Sequence, residues 1–325
     1  MTVPGEHRRV GTGITITPLT GSIGARVTGV DLGHDLTDDV AQSLRDAFVR
    51  HQVLVVPQDG TAGSEEQARL AALFGEPQPL AVFQFLGALS SELTLNTGSR
   101  IAATEDASAP KPTDVRDDRM ERELAGLGLG GGFDGWHADS TFTPWLPRVA
   151  VLRAEVIAPV GGDTGFMSLC AAYDGLSPTM QRFVDDLTAV HIYPPGYKEV
   201  LNLAQYGPDA EARFDAEYPP REWPVVIAHP ESGRRALFVN PAYTVHVMGL
   251  ARSESNALLS FLFAHLGGAD FQYRHHWSPG DLVLWDEVTV LHRAPGDVGT
   301  QDRKVVRVTA GRCVPAAPKE PVDGR

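Results

Sequence analysis

Short runs of alternating or continuous apolar and β-branched residues, closed by Gly, Pro, Ser or Asp, recur along most of the chain. That is the pattern of strands bounded by turns. Residues 14 to 31 alternate and predict two short strands around Thr20-Gly21-Ser22. Thr37 then caps a helix whose first turn carries Asp38 and Asp39 and whose apolar stripe is Val40, Leu44, Ala47 and Phe48, at helical spacing. Val53 to Val56 reads as a buried strand closed by Pro57. Ser64 with Gln67 has the form of a capping box for a second helix ending at Gly75. Residues 80 to 97 run from apolar to polar, and Thr94 to Thr97 suggests a strand.

The second half continues in the same manner. Arg148 to Ile157 is a strand, and Pro159 to Phe166 a turn into another. Ser177 caps a helix with Pro178 at its first position and Met180, Phe183, Val184 and Leu187 as its buried stripe. Residues 198 to 222 read as polar and irregular. Residues 225–229 and 235–240 form two strands, and Ser253 caps a helix that turns Leu258, Leu259, Leu262, Phe263 and Leu266 to the core. Phe271, Tyr273, His275 and Trp277 share one strand face, Leu282 to Trp285 is a buried strand, and Lys304 to Cys313 is the last. Many short strands interrupted by a few helices predict an antiparallel double-sheet jelly roll, mainly β with flanking helices. No internal repeat or composition break divides it, so residues 1–325 read as one domain.

One stretch departs from this pattern. From Gly98 the composition turns to Ala, Thr, Ser, Pro, Lys and Asp without a period, as in a long loop. Gly126 to Gly131 satisfies G-x-G-x-x-G. A dinucleotide site needs a strand before that motif and a helix after it; here a charged segment precedes it and Phe133-Asp134-Gly135-Trp136 follows. We read it as a hinge, and residues 98–132 as a mobile lid insertion.

Charge and cysteine content narrow the class. With 28 basic and 41 acidic residues the net charge is −13, which argues against a general nucleic-acid binder. Cys170 and Cys313 have no partner at metal-site spacing, so neither a thiolate zinc site nor a disulfide framework is expected, and a reducing cytoplasm fits. Met1 to Val10 lacks the apolar core of a signal peptide, and no run of 18 apolar residues exists; no membrane association is expected.

The candidate chemistry is in Trp136-His137-Ala138-Asp139-Ser140-Thr141-Phe142. On a strand, positions i and i+2 share a face, so His137 and Asp139 can reach one metal ion. His-x-Asp alone describes a surface pair or a local hydrogen bond equally well. His292, in Leu291-His292-Arg293-Ala294-Pro295-Gly296, is the best third ligand. Two histidines and a carboxylate form the facial triad of non-heme iron(II) oxygenases.

The chain resembles the TauD/TfdA group of iron(II)- and 2-oxoglutarate-dependent dioxygenases. The likeness is carried by the order and spacing of several segments. They are Gly24 to Leu32, Gln52 to Pro57, Trp136 to Phe142, Gly161-Gly162-Asp163-Thr164, Val239-Asn240 with Tyr243-Thr244, Glu254-Ser255 with Leu258-Leu259, Pro279 to Asp286, then His292, Arg303 and Arg307. The resemblance implies a double-stranded β-helix (jelly-roll, cupin-like) core. It also implies iron(II) held by His137, Asp139 and His292, with 2-oxoglutarate and O2 as cosubstrates. Arg303 and Thr164 would grip the distal carboxylate of 2-oxoglutarate, a role that suits a guanidinium fork. Arg307 would meet an anionic substrate group or the other end of 2-oxoglutarate; a buried structural ion pair is its plain alternative. Trp136 and Trp285 would wall the site or serve as core. The implied reaction oxidises, most directly hydroxylates, a C–H bond of a small anionic organic molecule and releases succinate and CO2. A homo-oligomer, dimeric or tetrameric, would be usual.

The chain also departs from the group. Pro79 to Gln84 lacks the histidine that grips a sulfonate in taurine-type enzymes, the 98–132 segment is long, and Glu287 stands where asparagine is common after Trp-Asp. Competing readings are a zinc hydrolase at the same triad, a binding protein that kept the fold, and an oxygenase ending in desaturation or C–heteroatom cleavage. Zinc accepts the same donors, but a hydrolase has no use for the Arg303/Thr164 clamp. His246, His191, His229 and His265 have no carboxylate at ligand spacing, and His275 and His276 face opposite ways.

Overall fold

The structure, a computed structural model, describes residues 8–9, 13–58, 62–89, 99–101, 135–194, 196–293, 301 and 304–319. The proposed strand at Thr94 to Thr97, the hinge at Gly126 to Gly131, most of the 98–132 lid and Arg303 lie outside the described residues.

Two sheets face one another. The large one has eight strands in the order Arg8–Arg9, Thr15–Pro18, Ala25–Thr28, Val53–Pro57, Asp281–Asp286, Val149–Val156, Lys304–Ala310 and Ser99–Ile101. All its pairings are antiparallel except Ala25–Thr28 with Val53–Pro57. The small one is Gln272–His275, Thr164–Ser168 and Val290–Arg293. Period-2 alternation decides what each face covers. Leu54, Val56, Val151, Leu282, Leu284 and Val308 pack under the helix Asp38–His51 through Leu44, Ala47 and Phe48. Val53, Val55, Leu152, Val283, Trp285 and Val305 point the other way, onto Phe166 and Val290 of the small sheet. The outer face of that sheet, with Met167 and Leu291, is covered by Leu258, Leu259, Leu262, Phe263 and Leu266 of the helix Arg252–Leu266. This is the expected jelly roll with flanking helices.

Local signals were satisfied in altered ways. Thr37 does cap the first helix, and its hydroxyl accepts the Val40 amide. The second helix begins one residue earlier than expected, at an N-cap Gly63 whose N–H donates to Glu66. Gln67 is freed from the expected capping box; it is fully buried and donates to the carbonyls of Val151 and Val306 in neighbouring strands. Likewise Ala251, not Ser253, is the N-cap of Arg252–Leu266, with Glu254 accepting its N–H. Phe183 is 48% exposed, so the stripe of the helix Pro178–Val184 rests on Val184 and Met180 instead.

The segment expected to be irregular is the largest correction. Residues 198–222 hold the short helices Tyr197–Val200, Leu203–Tyr206 and Ala210–Glu217 and the strand Arg221–Pro224. Their apolar residues are sparse and mostly aromatic, and they pack as a cluster rather than as a periodic stripe: Tyr197, Leu203, Phe214 and Tyr218 join Phe142 and Tyr243.

Candidate active site

His137 is an isolated bridge residue rather than part of a strand, and Asp139 lies in the turn that follows. The same-face consequence survives, because the bridge partner of His137 is His292. Each backbone N–H donates to the other's carbonyl, at 3.0 and 2.7 Å, and residues directly opposite in such a pair place their side chains on one face. The imidazole rings are 4.4 Å apart. Ala138 points away into the apolar core with Trp136. Trp136 in turn lies on Gly165, where a Cβ would come within 2.8 Å of the indole.

Both elements carrying the triad are locked from behind. His292 follows the turn Glu287–Thr289, in which one oxygen of Asp286 accepts the amides of Val288 and Thr289. The other oxygen of Asp286 meets Arg148 at 2.7 Å and His229 at 2.8 Å. Gln52, in the left-handed region at φ 63, donates to the Thr289 hydroxyl and accepts from Ser168. On the other side, Asn240 donates to Ala138 O and Trp223 to Thr141 O, while the Thr141 hydroxyl meets His191. Ser140 takes φ 49, which turns the chain sharply after Asp139.

One ligand atom from each of His137, Asp139 and His292 lies within 4.8 Å of the other two. Asp139 Oδ1 is 3.4 Å from His137 Nε2 and 3.7 Å from His292 Nε2. Those spacings exceed the best hydrogen-bond range but suit donors around an ion, since bonds of about 2.1 Å at right angles put donors about 3 Å apart. The His137 Nδ1–H donates to Gly135 O at 2.8 Å, which fixes the tautomer that offers Nε2. Burial works against a charge on His137, but Asp139 outweighs it and raises the imidazole. His292 is held well below its ordinary value by burial and by His137, so it is the neutral imidazole a metal needs. Burial opposes ionisation of Asp139, yet Arg307, His137 and His292 hold its carboxyl well below the usual range. The donor set therefore fits a divalent metal.

Arg307 faces inward from the large sheet and is 5% exposed. Its Nη1 pairs with Asp139 and its Nη2 with Glu287, and its guanidinium lies 5.2 Å from the Trp285 ring. Thr164 is buried on the strand face that also carries Phe166, the residue paired with His292, and it accepts from Trp277 Nε1 at 3.0 Å. Trp285 lies 4.9 Å from the His292 ring, so it walls the site. His275 is buried and His276 points to solvent, as their adjacency implied.

Sequence reasoning missed three parts of the site. Glu287 is fully buried, and burial and the charge of Asp139 push it up to about 8. Its departure from asparagine was the available signal. Tyr243, buried, and Tyr197, half-buried, lie close enough to Asp139 to feel its charge, and desolvation raises both phenols. Nothing in their spacing distinguished them from other aromatics. His191 has no metal role: both ring nitrogens meet threonine hydroxyls, and burial alone lowers it to about 3.

Among known proteins, residues 15–309 match the model of the taurine catabolism dioxygenase TauD, TfdA family. A (S)-phenoxypropionate/alpha-ketoglutarate-dioxygenase from Sphingobium herbicidovorans is 34% identical over 292 residues, covering 89% of this chain and 91% of that protein. An alpha-ketoglutarate-dependent sulfate ester dioxygenase from Pseudomonas putida is 29% identical, covering 96% and 93%. The crystal structure of a taurine dioxygenase from Burkholderia xenovorans aligns with a TM-score of 0.70 and 27% identity, covering 94% of this chain and 92% of the other. With this match over nearly its whole length, the chain belongs to the TauD, TfdA family and is an alpha-ketoglutarate-dependent dioxygenase.

Proposed function

We propose that His137, Asp139 and His292 bind iron(II) and that the enzyme oxidises, most directly hydroxylates, a C–H bond of a small organic substrate. The observation that carries this is the convergence of two Nε2 atoms on one Asp139 oxygen at 3.4 and 3.7 Å, beyond good hydrogen-bond length. Bound iron(II) supplies oxygen activation coupled to conversion of 2-oxoglutarate into succinate and CO2, with the second oxygen atom going to substrate. The chain's own residues bind and orient. Asp139 stays ionised, His292 stays neutral, and the Gly135 carbonyl holds the His137 tautomer. Thr164 offers its hydroxyl proton to the distal carboxylate of 2-oxoglutarate while its oxygen accepts from Trp277, and Arg303 is proposed as the second half of that clamp. Arg307 borders the substrate space beside the triad. Asp139 and His292 are each 8% exposed, which limits water at the reacting centre.

The relatives named for a phenoxypropionate and a sulfate ester support a substrate of that class, an organic body joined to an anionic group. No helix among the described residues is long and apolar enough to cross a membrane. Cys170 and Cys313 are both free, which supports a cytoplasmic enzyme; a dimer or tetramer belongs to the same proposal.

The test is anaerobic visible absorption of the apo protein given iron(II) and then 2-oxoglutarate. A weak charge-transfer band is expected in wild type, absent in His137→Ala and needing more 2-oxoglutarate in Arg303→Ala. Iron bound without a band would refute the assignment of this triad as the centre that iron and 2-oxoglutarate share.

A further inference from the structure

The small sheet carries a buried polar pair that the proposed chemistry does not use. His275 ends the strand Gln272–His275, directly opposite Thr164, and Asp281 begins the strand Asp281–Asp286 of the large sheet. Each is 1% exposed. Groups of this kind are costly to bury unless they hold one another. His275 Nδ1 meets the Tyr273 hydroxyl at 3.0 Å. Its Nε2 lies 3.3 Å from Asp281 Oδ2, an electrostatic contact rather than an aligned hydrogen bond. The same Asp281 oxygen accepts the Ser278 amide at 2.9 Å, and the Asp281 amide donates to Ser278 O at 3.0 Å.

His275 and Asp281 are thus the two stems of the loop 276–280, and one carboxylate oxygen gathers the far stem and the middle of that loop. Trp277 sits in the loop, beyond the last ladder pair, which is His275 with Thr164. Side chains therefore set its aim. Its ring meets His275 edge to face, 4.7 Å away at 83°, and its Nε1 donates to Thr164 Oγ1 at 3.0 Å. A hydroxyl that accepts on one side must send its own proton elsewhere. The indole in this way makes Thr164 a donor, the role that a ligand carboxylate requires. On the outer face of the same strand, Arg274 and His276 hold Asp163, the residue before Thr164, at 2.5 and 2.8 Å.

Resting on the proposed function, we infer that His275, held by Asp281 and Tyr273, is a positioning residue for the cosubstrate clamp. It fixes the loop that aims Trp277 at Thr164, and so sets how well the distal carboxylate of 2-oxoglutarate is recognised. His275 acts through Trp277 and is not a catalytic residue.

The experiment compares two 2-oxo acids, 2-oxoglutarate and 2-oxobutyrate, which differ by the distal carboxylate. Their dissociation constants are measured by calorimetry on the zinc-loaded full chain, since zinc accepts the same donors. His275→Phe keeps a ring against Trp277 and removes both nitrogens. The preference for 2-oxoglutarate is expected to fall about 3- to 10-fold, the worth of one hydrogen bond, with 2-oxobutyrate binding unchanged. His275→Phe/Trp277→Phe should fall no further than Trp277→Phe alone, because the two residues act in series. A merely structural role would lower the melting temperature and leave the preference where it was. If His275→Phe does not fold, Asp281→Asn is read in the same way; it keeps an acceptor for Ser278 and loosens the tie to His275. An unchanged preference, or losses from His275→Phe and Trp277→Phe that simply add, would overturn the inference. Thr164→Val separates it from the reading beneath it. A preference lost in Thr164→Val but kept in His275→Phe removes the inference alone. A preference kept in Thr164→Val, or a wild type that binds neither acid, removes both.

Discussion

Asp286 and Glu287 are adjacent in the chain, yet they serve two buried ionic clusters of opposite character. Around Asp286, an ion pair and three hydrogen bonds all lie at ordinary length. Arg148 is at 2.7 Å, His229 at 2.8 Å, and the Val288 and Thr289 amides are at 2.9 and 3.2 Å. Around Asp139 and Glu287, two buried acids share one arginine, and the two imidazoles stand off at 3.4 and 3.7 Å. The first cluster pairs its charges within the protein and holds a turn. The second has donors and negative charge arranged for a cation that the protein does not itself supply. The two acids of this hairpin thus divide into scaffold and site by their neighbours: Asp286 holds a turn, and Glu287 shares its arginine with the Asp139 carboxylate on which the two imidazoles converge.

The most decisive way to break the contrast is to remove the acid from the cation site. Asp139→Asn is expected to abolish the iron band and to lower turnover by more than about 100-fold, beyond what loss of a ligand-orienting group costs. Its unfolding midpoint should fall less than that of Arg148→Ala in a urea titration, because Arg307 keeps Glu287 as a partner and the amide preserves the shape of the side chain. Arg148→Ala is the converse. It strands Asp286 in the core, and a loss of about 3–5 kcal/mol is expected, read in the same titration, with the iron band retained in the folded fraction. A urea midpoint unchanged in Arg148→Ala would show that the two clusters do not differ as described.

Smaller effects sharpen the picture. Burial keeps His191 neutral down to about pH 3, against an ordinary value of 6.5. Below about pH 6.5 the unfolded chain binds a proton that the folded one refuses, so stability present above that pH is lost progressively as pH falls towards 3, by up to about 1.4 kcal/mol per pH unit. His191→Asn, which can still meet Thr141 and Thr244, should flatten the acid limb of a thermal-midpoint profile by about one proton. The smallest change concerns the cosubstrate clamp. Trp277→Phe deletes the donor to Thr164 and is expected to raise the 2-oxoglutarate concentration needed for the iron band by about 3- to 10-fold, the worth of one hydrogen bond. Iron affinity should not move.

The sheets and the triad were legible because each rests on a short-range regularity. Alternation placed Leu54 and Val53 on opposite faces, and the i, i+2 spacing aligned His137 with Asp139 even though the backbone there is a bridge and a turn. Caps were read one or two residues late at Ser64 and Ser253, because Gly63 and Ala251 offer no side-chain oxygen and only the Glu three residues on satisfies the free amide. The helices within 197–217 were not legible. They are too short to show a period, and aromatic packing on Phe142 organises them from outside the segment. Glu287 was visible as an oddity, but its partner Arg307 comes from another strand, which no local pattern shows.

The bridge between His137 and His292 joins residues nearly half the chain apart. Closing so long a loop is costly in entropy and slow, and it rewards the chain only when the flanking strands have paired. The triad therefore has no existence in a half-folded chain. During refolding, metal capture should trail the burial of the large sheet, and the arrival of the iron band would serve as a clock for the final docking of the two sheets.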